Sequence, residues 1–176
     1  MSNLKQAIKQ NYVKCAKSPS YFINEFCTIQ HPQRGKIKFK LYPYQYDVLD
    51  EFEKHDYNVV LKSRQLGIST LSAAYALWMM LFHNDKNILC IATSKDTAKN
   101  LVTKVRIMYE GLPNWLKTAI VENNKLSLIF KNGSQIKAIA SNESAGRSEA
   151  LSLLILDEAA FIDKIDIIWT AAQQTL

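Results

Sequence analysis

Residues 57–70 read Tyr-Asn-Val-Val-Leu-Lys-Ser-Arg-Gln-Leu-Gly-Ile-Ser-Thr, and this stretch decides which fold the sequence predicts. The apolar, β-branched run Val59–Leu61 is typical of a buried strand. A short polar loop follows and ends in Gly67, after which Ser69 and Thr70 open an apolar helical run. A strand, a glycine-ended loop, a hydroxyl residue and a helix follow one another in this order in phosphate-binding loops, or P-loops.

The loop departs from the usual P-loop pattern, G-x-x-x-x-G-K-[ST], at two positions. Gly67 and Ser69 match the second glycine and the hydroxyl, but Ile68 stands where lysine is usual, and Lys62 stands where the first glycine is usual. Phosphoryl chemistry requires a cation against the β- and γ-phosphates, because negative charge is spread over their oxygens. Lys62 and Arg64 are the candidate cations, and an ordinary strand–turn–helix without a ligand is the alternative.

Composition limits the class of protein. A chain of 176 residues with 48% hydrophobic residues suits one domain with a sizeable core. The net charge of +6 favours a polyanionic partner such as nucleic acid. Cys15, Cys27 and Cys90 are scattered without metal-ligand spacing, which favours reduced thiols in a cytosolic setting. The polar first ten residues are unlike a signal peptide, and the apolar run 71–82 is too short to cross a bilayer, so we expect no membrane partner.

A second candidate signal lies near the C-terminal end of the sequence. The apolar run 151–156 leads directly into Asp157 and Glu158. The carboxyl end of a strand is where α/β sheets place their ligands. There Asp157 is predicted to hold Mg²⁺ and Glu158 to polarise an attacking water. A surface turn after a core strand is the alternative interpretation.

A third signal precedes the P-loop. Gln45 lies in an aromatic run, and its amide offers the donor and the acceptor that match the edge of adenine. Tyr42 or Phe39 would stack on the base. The alternative is that the aromatic residues belong to the core and that Gln45 is a surface residue.

The remaining pattern predicts an α/β fold. The apolar run 87–93 predicts another buried strand, and Ser94 is the expected N-cap of a basic helix over 95–110. Asn132 and Gly133 separate two alternating runs, which predicts a β-hairpin near 126–140. We therefore expect a mainly parallel central sheet flanked by helices, together with this hairpin.

The three motifs together resemble the ATPase part of phage terminase large subunits. Lys62–Thr70 is similar to the variant Walker A motif of that family, in which the lysine can sit at the start of the loop. Leu153–Glu158 resembles its Walker B motif, and Tyr42–Gln45 its adenine-recognising Q motif. Ser18–Phe22 resembles the lead-in to the ATPase domain. The resemblance covers nearly the whole chain.

The resemblance implies a P-loop NTPase fold of the ASCE type. Residues 1–41 would form an N-terminal helical lead-in and edge strand. Residues 42–176 would form an ATPase core, truncated at the C-terminus and without the nuclease domain. ATP hydrolysis, with Mg²⁺, would drive double-stranded viral DNA into a procapsid. The implied partners are the portal, the small terminase subunit and further copies in a ring, and the implied location is the host cell cytoplasm, docked on the capsid portal.

The resemblance also implies residue roles. The nucleotide-binding set would be Gln45, Lys62, Ser63, Arg64, Gln65, Leu66, Gly67, Ile68, Ser69 and Thr70. Lys62 would bind the β- and γ-phosphates, and Arg64 would sense the γ-phosphate. Ser69 and Asp157 would ligate Mg²⁺. Glu158 would activate water, and Arg147 would act as an arginine finger on a neighbouring subunit, which is worth ~10³–10⁵ in rate. A salt bridge within the loop is the alternative for Arg147.

Two other functions are the alternatives to this one. The first is a helicase-like translocase on nucleic acid. The second is a non-catalytic nucleotide- or DNA-binding module whose P-loop has decayed at Ile68. The retained lysine at position 62 argues against decay, because a degenerate site has no need of a cation there.

Overall fold

The computed structural model describes residues 2–31, 33–141 and 150–176. Its helices within these ranges are α1 (Ser2–Lys17), α2 (Pro19–Phe26), α3 (Pro43–Lys54), α4 (Ile68–Phe82), α5 (Lys95–Gly111) and α6 (Ile165–Gln173), with short 3₁₀ turns at Asn114–Leu116 and Ala159–Phe161. Its strands are β1 (Thr28–His31), β2 (Gly35–Lys38), β3 (Asn87–Ala92), β4 (Ile120–Asn123), β5 (Ser127–Phe130), β6 (Gln135–Ala140) and β7 (Leu153–Leu156). None of the described helices is both long and apolar enough to cross a membrane.

The central sheet has the strand order β4-β5-β6-β3-β7 and is mixed. The pairs β3–β6 and β3–β7 are parallel, whereas β4–β5 and β5–β6 are antiparallel. The α/β class is therefore confirmed, but a mainly parallel sheet is not. The reason is local: strands joined by short turns must run antiparallel, whereas parallel neighbours need a long crossover.

The predicted hairpin is present as β5 and β6. Gly133 adopts a left-handed backbone, with φ of 80°, at the turn between the two strands. The Asn132 side chain donates hydrogen bonds to the carbonyls of Met80 and His83, at 2.8 and 3.1 Å. The turn therefore also satisfies carbonyls at the C-terminal end of α4, where helical partners are missing.

The core lies on both faces of β3. Ile88, Cys90 and Ala92 belong to the cluster shared with α4 and α5. The alternate residues Leu89 and Ile91 pack in a second cluster with Ile168 of α6. Because successive strand side chains point to opposite faces, this division makes β3 a strand covered on both sides. The result is a three-layer arrangement in which the sheet lies between α4–α5 and α6.

Helix α4 is buried nearly all round, which explains why its sequence is almost wholly apolar. It packs against α5, α2 and α3. The Trp78 indole donates to the carbonyl of Cys15 at 2.8 Å, so α1 is also joined to α4. The N-terminal elements thus share the main core, and the division of the chain at residue 41 stays a prediction.

Leu77→Ala is expected to lower the free energy of unfolding by about 2–5 kcal/mol, because it leaves a cavity in this core. Leu77 is 0% exposed. The matched control is Leu4→Ala, since Leu4 is 69% exposed and its truncation should change stability by less than about 0.5 kcal/mol. Urea unfolding followed by circular dichroism measures both. Equal midpoints for the two variants would contradict the packing described here.

The prediction of a strand at 59–61 is wrong. The backbone there is extended but pairs with no described strand, and both Val59 and Leu61 are 100% exposed. A strand needs a neighbour for its backbone N–H and C=O groups. β7 ends the sheet and pairs only with β3 among the described strands. The apolar composition was correct for a strand, but composition does not supply a neighbour.

Candidate functional site

The site lies where the carboxyl ends of the parallel strands meet the start of α4. The Ser69 hydroxyl, in the first turn of α4, donates to Asp157 Oδ1 at 2.9 Å. Asp157 directly follows β7. This hydrogen bond joins two motifs that are 88 residues apart in the sequence, and it is the contact on which the site is built.

Asp157 is anchored to the middle of the sheet. Its backbone N–H donates to the carbonyl of Ile91 at 3.0 Å. Burial raises the pKa of the Cys90 thiol, and the negative charge of Asp157 raises it further. The carboxylate is therefore held above the central strand β3, half-buried.

The hydroxyl and the carboxylate oxygens of Ser69 and Asp157 are ligand types that suit Mg²⁺, which usually takes one or two protein oxygens and completes its shell with water and phosphate. No group of three or more His, Cys, Asp or Glu side chains that could hold a metal is found in the described part of the chain, this site included. The oxygen donors of Ser69 and Asp157 are thus of a chemical type suited to a magnesium ion.

The loop before α4 contains two residues with left-handed backbones close to the start of the helix. Gln65 and Gly67 both have left-handed backbones, with φ of 64° and 71°. Gly67 is the N-cap of α4 and provides no side chain to bond the first-turn amides. The unpaired N–H groups at a helix start attract anions, and the helix dipole adds to that attraction.

Ile68 shows why this loop does not carry lysine at the usual position. Its side chain is only 8% exposed and belongs to the main core. A lysine there would bury an ammonium group without a partner. Lys62 is half-exposed and Arg64 is exposed, and neither has a hydrogen bond or an ion pair with the described residues. Both cations are therefore available to a ligand.

Glu158 has an unusual backbone. Its φ of 56° and ψ of 40° are left-handed, and it caps the 3₁₀ turn Ala159–Phe161. For a residue other than glycine, such a conformation costs ~1–3 kcal/mol, and such residues cluster at functional sites. The side chain is exposed beside the anchored Asp157.

Gln45 is placed differently from what the sequence suggested. It is 1% exposed. Its Oε1 accepts from the Tyr42 N–H at 3.1 Å, and its Nε2 donates to the Leu66 carbonyl at 3.2 Å. The alternative that it is a surface residue is therefore wrong, and the expectation that it pairs with adenine stays a prediction.

The aromatic residues around Gln45 differ in how exposed they are. Phe39 is 4% exposed and belongs to the core, so it offers no face to a base. Tyr42 is 62% exposed, and its ring stacks on that of Tyr44 at 5.8 Å. Tyr44 was not among the predicted site residues, although its hydroxyl donates to the Leu66 carbonyl at 2.8 Å. Its place within the stretch Tyr42–Gln45 was the signal that could have found it. Arg147 lies outside the described residues.

Comparison with known proteins gives one family and a consistent fold. A family model for the terminase large subunit, T4likevirus-type, N-terminal, matches residues 59–176. The crystal structure of the bacteriophage HK97 large terminase is similar, with a TM-score of 0.69 and 22% identity over 90% of this chain and 35% of that chain. The ATPase domain of the Thermus phage P74-26 large terminase has a TM-score of 0.57 and 22% identity, over 78% of this chain and 61% of that one.

Proposed function

Because the chain belongs to the terminase large subunits, as an N-terminal domain of the T4likevirus type, we propose that it is the ATPase domain of a phage DNA-packaging motor. ATP hydrolysis here would drive double-stranded DNA through the portal into a procapsid. The working assembly would be a ring of large subunits acting with the small subunit. The chain spans about a third of the HK97 protein that it resembles (35%), so packaging itself is a property proposed for the whole subunit.

The observation that carries this proposal is the hydrogen bond between Ser69 and Asp157. A P-loop hydroxyl and a Walker B carboxylate meet in this way when they serve one Mg²⁺-bound nucleotide. The bound magnesium would neutralise charge on the phosphate oxygens. The same pairing supports an ASCE-type P-loop core for residues 42–176, with residues 1–41 as its lead-in.

The residues of the chain then take separate roles toward ATP. The amides at the start of α4 surround the phosphates, and Lys62 brings the positive charge that the buried Ile68 position cannot. Arg64 lies within the loop and is the proposed sensor of the γ-phosphate. The Glu158 carboxylate would accept a hydrogen bond from the attacking water and take up its proton as the water oxygen bonds to the γ-phosphorus. The bond from that phosphorus to the bridging oxygen would break in the same step, and ADP would leave. A finger role for Arg147 toward a neighbouring subunit is part of the same proposal.

Asp157→Asn is expected to weaken Mg²⁺-dependent ATP binding by ~10–100-fold, the range found when groups that support a metal site are changed. The amide keeps the shape of the side chain but removes the charge that favours the cation. Isothermal titration of ATP with and without EDTA measures the effect. Asp163→Asn is the matched control, since Asp163 is exposed beyond the 3₁₀ turn and should bind ATP as the unchanged chain does.

An unchanged chain that fails to bind ATP in the presence of Mg²⁺ would contradict the proposed function. Tight Mg²⁺-dependent binding without hydrolysis by the large subunit would instead favour the non-catalytic module. Strand separation by the large subunit in the absence of procapsids would favour a helicase-like translocase.

A further inference from the structure

The first turn of α3 holds the phosphate loop (residues 62–67) at a single atom. The carbonyl oxygen of Leu66 accepts two hydrogen bonds from adjacent side chains, one from the Tyr44 hydroxyl at 2.8 Å and one from Gln45 Nε2 at 3.2 Å. A carbonyl oxygen has two lone pairs, so both are used. Two donors on one acceptor fix the direction of that peptide group more firmly than either would alone.

The Gln45 amide faces the loop and its own helix. It is 1% exposed, and its oxygen accepts from the Tyr42 backbone at 3.1 Å. A Cβ added at Gly67 would lie 3.0 Å from Gln45 Nε2, so the amide also packs directly against the loop backbone. To read the edge of a base, the amide must present its donor and its acceptor together to the ligand. Here the oxygen and one of the two N–H groups already bond within the protein, and the side chain is too buried to present the rest of the amide to a base.

The peptide that is held lies between two left-handed residues. Gln65 precedes Leu66 with φ of 64°, and Gly67 follows it with φ of 71°. A non-glycine residue keeps such a backbone only when its surroundings enforce it. The backbone amides of this segment are the ones that would surround a phosphate group. The two side-chain bonds at Leu66 therefore act on the conformation that binds phosphate.

We infer that Tyr44 and Gln45 are positioning residues for the phosphate loop, and that they support the binding of any triphosphate rather than recognise the base. The inference rests on the proposed function, since it concerns the same nucleotide site. It assigns Gln45 a role other than the adenine contact that the sequence predicts. It follows that the preference of the site for ATP over GTP does not depend on Gln45.

Three ligands and three variants test the inference. ATP, GTP and inorganic tripolyphosphate are titrated, each with Mg²⁺, into the unchanged chain and into the variants Tyr44→Phe, Gln45→Glu and Tyr46→Phe. Tyr44→Phe removes one hydroxyl, and Gln45→Glu replaces the donor to Leu66 by an acceptor. Tyr46→Phe is the matched control, because the Tyr46 hydroxyl lies on the same helix but accepts from the Asn24 amide.

Tyr44→Phe is expected to weaken all three ligands by the same factor, about threefold to tenfold, as the loss of one hydrogen bond predicts. Gln45→Glu should weaken all three ligands further, with the ratio of ATP to GTP affinity unchanged. Tyr46→Phe should leave all three affinities as they are. Thermal unfolding of each variant shows whether the fold is intact.

A loss confined to ATP in Gln45→Glu would overturn the inference, since it would mean that the amide reads adenine. Unchanged affinities in Tyr44→Phe, with or without a lower unfolding midpoint, would overturn it as well, because the hydroxyl would then be merely structural. If the unchanged, folded chain binds none of the three ligands, the proposed function itself fails, and the inference fails with it.

Discussion

Glu158→Gln is expected to slow ATP hydrolysis by the large subunit by ~10²–10⁴-fold, the usual contribution of a general base. An amide cannot take up the proton of the attacking water, whereas the size and shape of the side chain are retained. ATP affinity should change by less than about twofold, because Glu158 is exposed beside the proposed metal ligands rather than among them. The expected signature is therefore a lost turnover rate with retained binding.

Phosphate release under saturating ATP measures the rate, and equilibrium titration measures the affinity. Glu110→Gln is the matched control: this glutamate lies at the far end of α5 and pairs with Lys36 at 3.9 Å, so its turnover should equal that of the unchanged protein. Turnover near the unchanged level in Glu158→Gln would remove Glu158 from the mechanism. The left-handed backbone at this position would then be a feature of the turn alone.

Lys62→Ala is expected to weaken ATP binding by ~10–100-fold, since a hydrogen bond to a charged group is worth about 1.5–3 kcal/mol. The reason is the loss of the ammonium group that would face the β- and γ-phosphates. Arg64→Ala serves as the comparison, because the larger loss identifies the main phosphate cation. Lys54→Ala is the control, since that lysine pairs on the surface with Glu51 at 3.9 Å.

The same experiment has a second arm. Adding Ile68→Lys to Lys62→Ala restores the usual P-loop lysine in the sequence but should not restore binding. Ile68 is 8% exposed and packs in the core, so the new side chain either buries its charge or disturbs the start of α4. Recovery of affinity in the double variant would contradict this expectation, because it would mean that a side chain at position 68 can reach the ligand.

Patterns of adjacent residues predicted more of the structure correctly than patterns that depend on tertiary contacts. Asn132 and Gly133 predicted the hairpin, because a turn type follows from residues next to each other. Ser94 predicted the start of α5, where its hydroxyl accepts from the Thr97 N–H. Neither result required knowledge of what lies across the fold.

The predictions that failed concern features that depend on residues far away in the sequence. Val59–Leu61 has the composition of a buried strand, yet a strand forms only where another strand stands beside it. Composition could not show that one half of the sheet is antiparallel rather than parallel. The burial of Gln45 and the contact of Tyr44 with Leu66 depend on how α3 meets a loop 21 or 22 residues further along the chain.

The contact between Ser69 and Asp157 joins residues that are far apart in the sequence, yet the sequence suggested it. The sequence predicted both residues for one site, because a P-loop hydroxyl and a carboxylate at the end of a strand bind the same magnesium ion in nucleotide-binding proteins. Distance alone along the chain would not suggest that they touch. The chemistry of the expected ligand was therefore a better guide to this long-range contact than any propensity.

The end strand β7 has a practical consequence for handling the domain. Its four residues are apolar and only half-buried, one of its edges has no described neighbour, and the apolar side chains of Val59 and Leu61 are fully exposed. Such an edge is a template for pairing with another chain. Stocks of the isolated domain should thus self-associate as protein concentration rises, and light scattering would detect this before any loss of secondary structure. Dilute samples are the appropriate ones for ligand titrations.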